Sequence, residues 1–459
     1  MGLNQAAEAE TRRSAQNPRS SVTLALCSLG FFLITLDILI VNLALTQISA
    51  ELGGGPAAQQ WVIDSYTLMF AALLLFSGNL SDRIGAKKAF GWGVALFLLA
   101  SLACAAAPGI LILIGARALQ GAGASLMLPA SMALIREAFP EANRRAHALG
   151  IWAVGGAVAG AVGPLLGGLL VTVNWRLVFA INLPVCLAML VMLRVVTPSV
   201  RRPVPFDWAG QLTSVIALGA LLNGLISGGS EGFGAPLAWI SLVLAGIFLT
   251  AFLLLQVRVQ HPMMPLELFR PVGMRISLLA GFSFMVSNFG LVFVASLFLQ
   301  QHLGLPPLQA GLVFLPSSAF AILANMFSGR LTNRFSARVP VVLGLSCMGV
   351  GLVAMALTAS LGQPVLVAVL MILTSSGGAM AMPQVTAVVL ASVPAAQAGT
   401  ASAVFNTFRQ MGGAVAIAVF GALLAGAATF VQGLQLSFGI AAALLFLSVL
   451  AARKIRPAH

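Results

Sequence analysis

The chain contains apolar run after apolar run, each long enough to cross a bilayer as a helix. That feature limits the fold more than any other. A segment surrounded by lipid has no water to bond its amides, so only helices and closed barrels can span. The runs are continuous and do not alternate with period two, which selects helices. Hydrophobic residues make up 59% of the 459, charged residues only 8%, and the mean hydropathy is +1.02. The expectation is an all-α membrane protein.

Reading run by run predicts spans over 22–45, 58–80, 89–107, 109–135, 146–171, 177–197, 208–229, 236–256, 276–300, 308–330, 339–359, 364–390, 398–425 and 433–452, about fourteen in all. Pro108 and Asn174-Trp175-Arg176 separate the nearly touching pairs. Connections on one side hold Arg12, Arg13 and Arg19, then Arg83, Lys87 and Lys88, then Arg136, Arg144 and Arg145, then Arg194, Arg201 and Arg202, then Arg258, Arg270 and Arg275, then Arg330, Arg334 and Arg338, and finally Arg453, Lys454 and Arg456. Connections on the other side hold only Arg176. Positive residues stay on the cytoplasmic side, so a multi-pass protein of the inner (cytoplasmic) membrane with both termini cytoplasmic is predicted. The same pattern accounts for the net charge of +13 without nucleic acid, because the basic residues are spread over short loops. Trp61, Trp92, Trp175, Trp208 and Trp239 fall near span ends, where interfacial anchors are expected. Trp152 falls inside a span, either facing a cavity or simply packing.

Two internal echoes divide the chain. The loop Gly78-Asn79-Leu80-Ser81-Asp82-Arg83-Ile84-Gly85-Ala86-Lys87-Lys88 has its skeleton repeated from Gly329 to Arg338, an offset of 251 (329 − 78). Gly123 to Pro129 is echoed by Gly377 to Pro383, an offset of 254 (383 − 129). These imply two pseudo-symmetric six-helix bundles, 22–197 and 276–452, with a linker and two inserted helices in 198–275. Residues 1–21 and 453–459 are read as tails, and Thr197 to Pro205 as the joint between halves.

At this point the motifs resemble the major facilitator superfamily, and within it the fourteen-span drug:proton antiporters. Gly78-x-Leu-x-Asp82-Arg83-x-Gly85-x-Lys87-Lys88 is similar to the superfamily's loop motif, and Arg117 to Gly123 to its fourth-helix motif. Gly160, Gly163, Pro164, Gly167 and Gly168 resemble the antiporter signature of the fifth helix, with Ala159 where that motif usually begins with glycine. Leu36 to Leu45 and Trp175-Arg176-x-x-Phe179-x-Ile181-Asn182-x-Pro184 resemble marks of the fourteen-span group. Asn333 stands where an acid often sits in the second loop copy. The resemblance implies the major facilitator fold and alternating access. It implies gating by Gly78, Asp82, Arg83, Gly85, Lys87 and Lys88, with Arg334 and Arg338 in the repeated loop. It also implies a fifth helix lying between the halves.

The residues themselves point to proton coupling. Among eleven acids only Asp37 and Asp64 fall well inside spans, and no acid follows Glu267. An ionisable group in hydrocarbon costs about 2.5–3.5 kcal/mol on insertion scales and marks function by default. Asp37 is either a proton carrier or a structural carboxylate bonded to Asn42 or to a neighbouring helix. Asp64 is a proton carrier, a contact for a cationic substrate, or a residue at the outer mouth. Arg117 either pairs with one of the two acids or bonds backbone carbonyls. Arg409, without an acid in its own half, reaches one across the halves, water or carbonyls, with a substrate or gating role. The substrate candidates are Asp64, Tyr66, Asn42, Met127, Phe289, Met382, Phe405 and Arg409, with Phe282, Phe284 and Met285 as further apolar linings. Four isolated cysteines without metal spacing, and no P-loop or catalytic constellation, speak for neither enzyme, metal site nor cofactor. The function expected is proton-coupled export of lipophilic, cationic or neutral small molecules by a monomer, its partners being substrate, protons and lipid. The alternatives are a dedicated exporter or importer of one metabolite, and a non-transporting receptor.

Overall fold

Apolar runs that cannot bond lipid close their backbone hydrogen bonds internally, and here they do so as helices. The computed structural model describes residues 18–201, 206–260, 262–394 and 397–454. The tail 1–17, residues 202–205 of the joint from Thr197 to Pro205, and the last five residues lie outside these, so Arg12, Arg13, Arg202 and Arg456 are not placed. The helices are α1 Pro18–Leu52, α2 Gly55–Ile84, α3 Ala86–Ala105, α4 Ile110–Ala138, α5 Ala142–Val173, α6 Leu177–Ala180, α7 Asn182–Leu193, α8 Trp208–Glu231, α9 Pro236–Arg258, α10 Val272–Leu297, α11 Pro307–Phe335, α12 Arg338–Thr358, α13 Pro364–Ala391, α14 Ala398–Gly426 and α15 Phe430–Ala452. The described residues contain no β-strand. Thirteen of the helices are long and apolar enough to cross a membrane. The expected span 177–197 is shorter: α6 and α7 together reach only from Leu177 to Leu193. Beyond Leu193 the chain tightens, and the amides of Arg194, Val195 and Val196 bond the third carbonyl back.

The internal echoes reappear as packing. A β-carbon on Gly93 of α3 would lie 2.8 Å from the Gly123 carbonyl oxygen of α4, and one on Gly344 of α12 would lie 2.4 Å from that of Gly377 in α13. Both helix pairs therefore cross at glycines, where the backbones meet directly. The two loop copies share a backbone turn as well. Gly85 closes α2 with φ 91° and Ser336 closes α11 with φ 139°, 251 positions apart (336 − 85). Ser336 is the one non-glycine with positive φ among the described residues.

Helices α1 to α7 pack among themselves, as do α10 to α15. Two seams join the sets: α5 against α11, and α2 against α14. Under the repeat these seams are the same contact with partners exchanged. The inserted hairpin α8–α9 leans on the second seam, with α8 touching both α2 and α14. Close approaches across the seams run from mid-membrane to the side carrying Glu51 and Arg176, away from the basic loops. They include Ser318 Oγ donating to Gly160 O at 3.0 Å; outside the two seams, Ser296 Oγ of α10 donates to Asn42 O of α1 at 2.9 Å. Gly168 abuts the Pro307 carbonyl, Gly311 the Pro164 carbonyl, and Gly421 the Gln60 side chain. Trp92, Trp208 and Trp239 are exposed, as anchors should be. Trp175 is not: it is 2% exposed and donates its ring N–H to Glu51 at 2.5 Å. Trp152 stacks on Phe31, with ring centroids 4.1 Å apart, and so packs.

Candidate functional site

The first bundle contains an ion pair shut off from solvent. Asp37 of α1 and Arg117 of α4 are both 0% exposed, and Arg117 Nη1 donates to Asp37 Oδ2. The rest of the bundle is built around this pair. Asn182, the first residue of α7, donates to Asp37 Oδ1 at 2.8 Å, and Gln120 of α4 donates to the same oxygen at 3.3 Å. Gln120 Nε2 also reaches Ser101 Oγ of α3 at 2.7 Å, and Gln120 Oε1 accepts from Arg117 Nη1 at 2.9 Å. Arg117 and Gln120, three residues apart, share a face of α4.

α2 and α6 supply the remaining contacts. Arg117 Nε donates to the Val62 carbonyl at 3.0 Å, and the guanidinium lies 4.4 Å from the centre of the Tyr66 ring and 5.8 Å from that of Phe179. Gly121 makes this approach possible, because a β-carbon there would sit 2.2 Å from the Tyr66 carbonyl oxygen. The charges are thus held by six elements, α1, α2, α3, α4, α6 and α7. Arg117 Nη2, Asn182 Oδ1 and the Tyr66 hydroxyl are buried without a partner among the described residues. The carboxylate thus receives charge-assisted bonds from one cation and hydrogen bonds from two amide donors. Adding a proton to it removes the charge that neutralises Arg117.

Asp64 stands apart. It is 0% exposed on α2, with Thr67 Oγ1 3.4 Å from its Oδ1 and no partner for its Oδ2 among the described residues. The structure therefore joins Arg117 to Asp37 and not to Asp64. Asn42, considered as a partner for Asp37, instead donates to the Ile38 carbonyl of its own helix at 3.0 Å.

The apolar substrate candidates are mostly enclosed. Met127 is 0% exposed and fills the α3–α4 crossing beside Gly93, Phe289 packs over Gly413, and Phe405 over Gly281. Tyr66 is wholly buried beneath Arg117 and is not at a mouth. Met382 is half-buried on α13. Arg409 of α14 is half-buried, donates to Asn406 Oδ1 at 3.3 Å, and lies 5.9 and 5.7 Å from the ring centres of Phe284 and Phe405.

The expected polar loop 78–88 is helical on both sides of Gly85, and Asp82, in the last turn of α2, is 4.0 Å from Arg136 of its own bundle, not paired with an arginine across the halves. Lys87 Nζ donates to the Val196 carbonyl, its amide donates to Ser199 Oγ at 3.0 Å, and Ser199 Oγ reaches Glu137 at 2.6 Å. Arg83 lies over the Phe206 ring at 4.9 Å, and Lys88 is exposed. Gly78 has open space around its α-carbon. On the opposite loop copy, Arg334 is exposed and Arg338 opens α12. On α5, Gly163 and Gly167 face α1 while Gly168 and Pro164 face α11. Gly160 has open space for a β-carbon, and its carbonyl accepts the Ser318 bond.

Residues 27–417 match the family model described as Major Facilitator Superfamily. The chain belongs to the Major Facilitator Superfamily. It is 36% identical over 412 residues to "Multidrug resistance protein Stp" of Mycobacterium tuberculosis, covering 89% of this chain and 76% of that protein. It is 34% identical over 421 residues to "Methylenomycin A resistance protein" of Streptomyces coelicolor, covering 91% and 89%. Among solved structures, a D-xylose–proton symporter superposes with a TM-score of 0.70 at 15% identity, covering 96% of this chain and 98% of that one.

Within this member of the superfamily, three residues of the charge centre had no role assigned from sequence: Gln120, Ser101 and Asn182. Asn182 had a legible signal, since it lies in the Trp175–Pro184 motif and at a break in an apolar run. Ser101 had none, as a lone serine in an apolar helix most often bonds its own backbone.

Proposed function

We propose that this protein exports lipophilic small molecules, drugs among them, across the cytoplasmic membrane in exchange for protons. The observation that carries the reading is the Asp37–Arg117 pair. It is a sealed carboxylate paired with one cation among the described residues, and a proton on the acid would remove the charge that holds that cation. Each charge moved down the membrane potential supplies about 2.3 kcal/mol per 100 mV. Asp37 is the coupling acid and Arg117 the switch, while Asn182 and Gln120 position the carboxylate. Asp64 is a second proton site, reached on a different step. The bundles 22–197 and 276–452 rock about the α5–α11 and α2–α14 seams in a monomer, both termini lying in the cytoplasm. The glycines of α5 let that helix slide between α1 and α11. The α2–α3 junction around Gly85 is the gate, and in the state described Asp82 is turned to Arg136 of its own bundle.

The relatives named for drug resistance support drug export, and they include both broad and single-compound resistance. A pump dedicated to one compound is therefore the second reading. The test is extrusion of ethidium by reconstituted vesicles under an imposed pH gradient, without ATP. Movement should stop when a protonophore is added. Extrusion that ignores the protonophore would refute the proposal.

A further inference from the structure

The two arginines inside the membrane are treated very differently. Arg117 is neutralised by Asp37 and sealed. Arg409 sits near the middle of α14, and among the described residues its one hydrogen bond is to a neutral amide, Asn406. Its Nε is out of reach of solvent and without a partner. No residue of α10 to α15 can neutralise it, because the sequence contains no Asp or Glu after Glu267.

The first bundle does not supply the missing anion either. Asp37 is committed to Arg117, Asn182 and Gln120. Asp64 is on α2, which lines one seam with α14, but at the wrong height. Gln60 meets Gly421, and Ala71 shares a small gap with Met411 and Ala414. In that antiparallel register Arg409 is level with Leu73, roughly nine residues or about 13 Å along the axis from Asp64. A rocking motion about a seam does not remove such an offset.

An unpaired cation at this depth is unfavourable, so it persists where a ligand completes it. Its surroundings describe that ligand. Arg409, Asn406 and Phe284 are all half-buried, so each keeps an accessible edge, and the ring of Phe405 backs the guanidinium. A forked donor beside aromatic faces matches a carboxylate carried on an aromatic body. We propose that Arg409, with Asn406, Phe284 and Phe405, is the recognition point for the anionic group of an aromatic acid. This rests on the transporter reading above and adds an anionic class to the cationic and neutral substrates expected from sequence. Both carboxylates inside the spans are fully buried, so the charge this interior offers an entering molecule is positive.

The test compares binding of 2-naphthoate and its neutral isostere 2-naphthamide to the purified full chain in detergent, by calorimetry. Wild type should prefer the acid roughly ten- to hundredfold, the range of a charge-assisted hydrogen bond. Arg409→Gln should bring that preference close to one through weaker naphthoate binding. Arg409→Lys should keep part of it, since an ammonium keeps the charge and loses the fork. Equal wild-type affinities, or a preference that survives Arg409→Gln, would overturn the assignment. If Arg409→Gln does not fold, Asn406→Ala and Phe284→Leu replace it. Each should reduce the preference, and no reduction in either overturns the proposal. Ethidium extrusion by the same preparation separates the two readings. A naphthoate preference without gradient-driven ethidium movement would overturn the exporter and leave this subsite standing.

Discussion

Replacing Asp37 by asparagine changes one atom type at the centre of the first bundle and tests two links of the argument separately. The amide oxygen can still accept from Asn182 and Gln120, whose bonds to Asp37 Oδ1 are 2.8 and 3.3 Å. What disappears is the negative charge facing Arg117. Arg117 keeps the Val62 carbonyl at 3.0 Å and Gln120 Oε1 at 2.9 Å, and its Nη2 already has no partner. Removing one member of a buried ion pair costs about 3–5 kcal/mol, because the other charge is left uncompensated. Replacing both members by neutral groups is close to neutral or even stabilising. Asp37→Asn should therefore be destabilised by about that amount, and Asp37→Asn with Arg117→Gln should recover most of it. Transport should behave differently, with gradient-driven ethidium movement reduced to leak in both variants. Unfolding in mixed micelles, followed by tryptophan fluorescence, reads the first quantity, and reconstituted vesicles read the second. If Asp37→Asn were as stable as wild type, carbonyls would suffice for Arg117 and the pair would not be its main compensation. If the double variant still pumped, Asp37 would have no part in coupling.

Two further substitutions test the scaffold around that centre. Gly121→Ala places a methyl 2.2 Å from the Tyr66 carbonyl, whereas Gly160→Ala meets open space. The first should cost about 1–3 kcal/mol or more in unfolding and lower transport, and the second should change stability little. Asp207→Ala removes the acceptor for Gly210 N and Gln256 Nε2, both at 2.7 Å, which ties α8 to α9. The loss should be about 1–2 kcal/mol, with faster hydrogen exchange confined to the start of α8.

Much of this protein was legible from local chemistry alone. Span-length apolar runs dictate helices, because lipid offers the backbone nothing to bond. The two copies of Gly78–Lys88 and Gly123–Pro129 announced a repeated plan, and the repeat is visible as glycine crossings at Gly93–Gly123 and Gly344–Gly377. The rarity of acids inside spans singled out Asp37, Asp64, Arg117 and Arg409 without any coordinates. Rarity says that a charge is costly where it lies, and that much belongs to the sequence.

What the charges do to one another was decided only by the fold. The sequence left open which acid Arg117 would meet; the packing brings it to Asp37, while Asp64 has only Thr67 of its own helix near its carboxylate. The aromatic and methionine candidates could not be sorted by composition, since an apolar side chain suits packing, lipid and cavity equally. The described chain buries Met127, Phe289 and Phe405 and leaves Phe284 and Met382 partly open. Partner choice depends on angle about the helix axis and on residues 80 or 145 positions away, such as Arg117 and Asn182 for Asp37. No local pattern encodes that angle; it is set by where glycines such as Gly121 allow two backbones to touch.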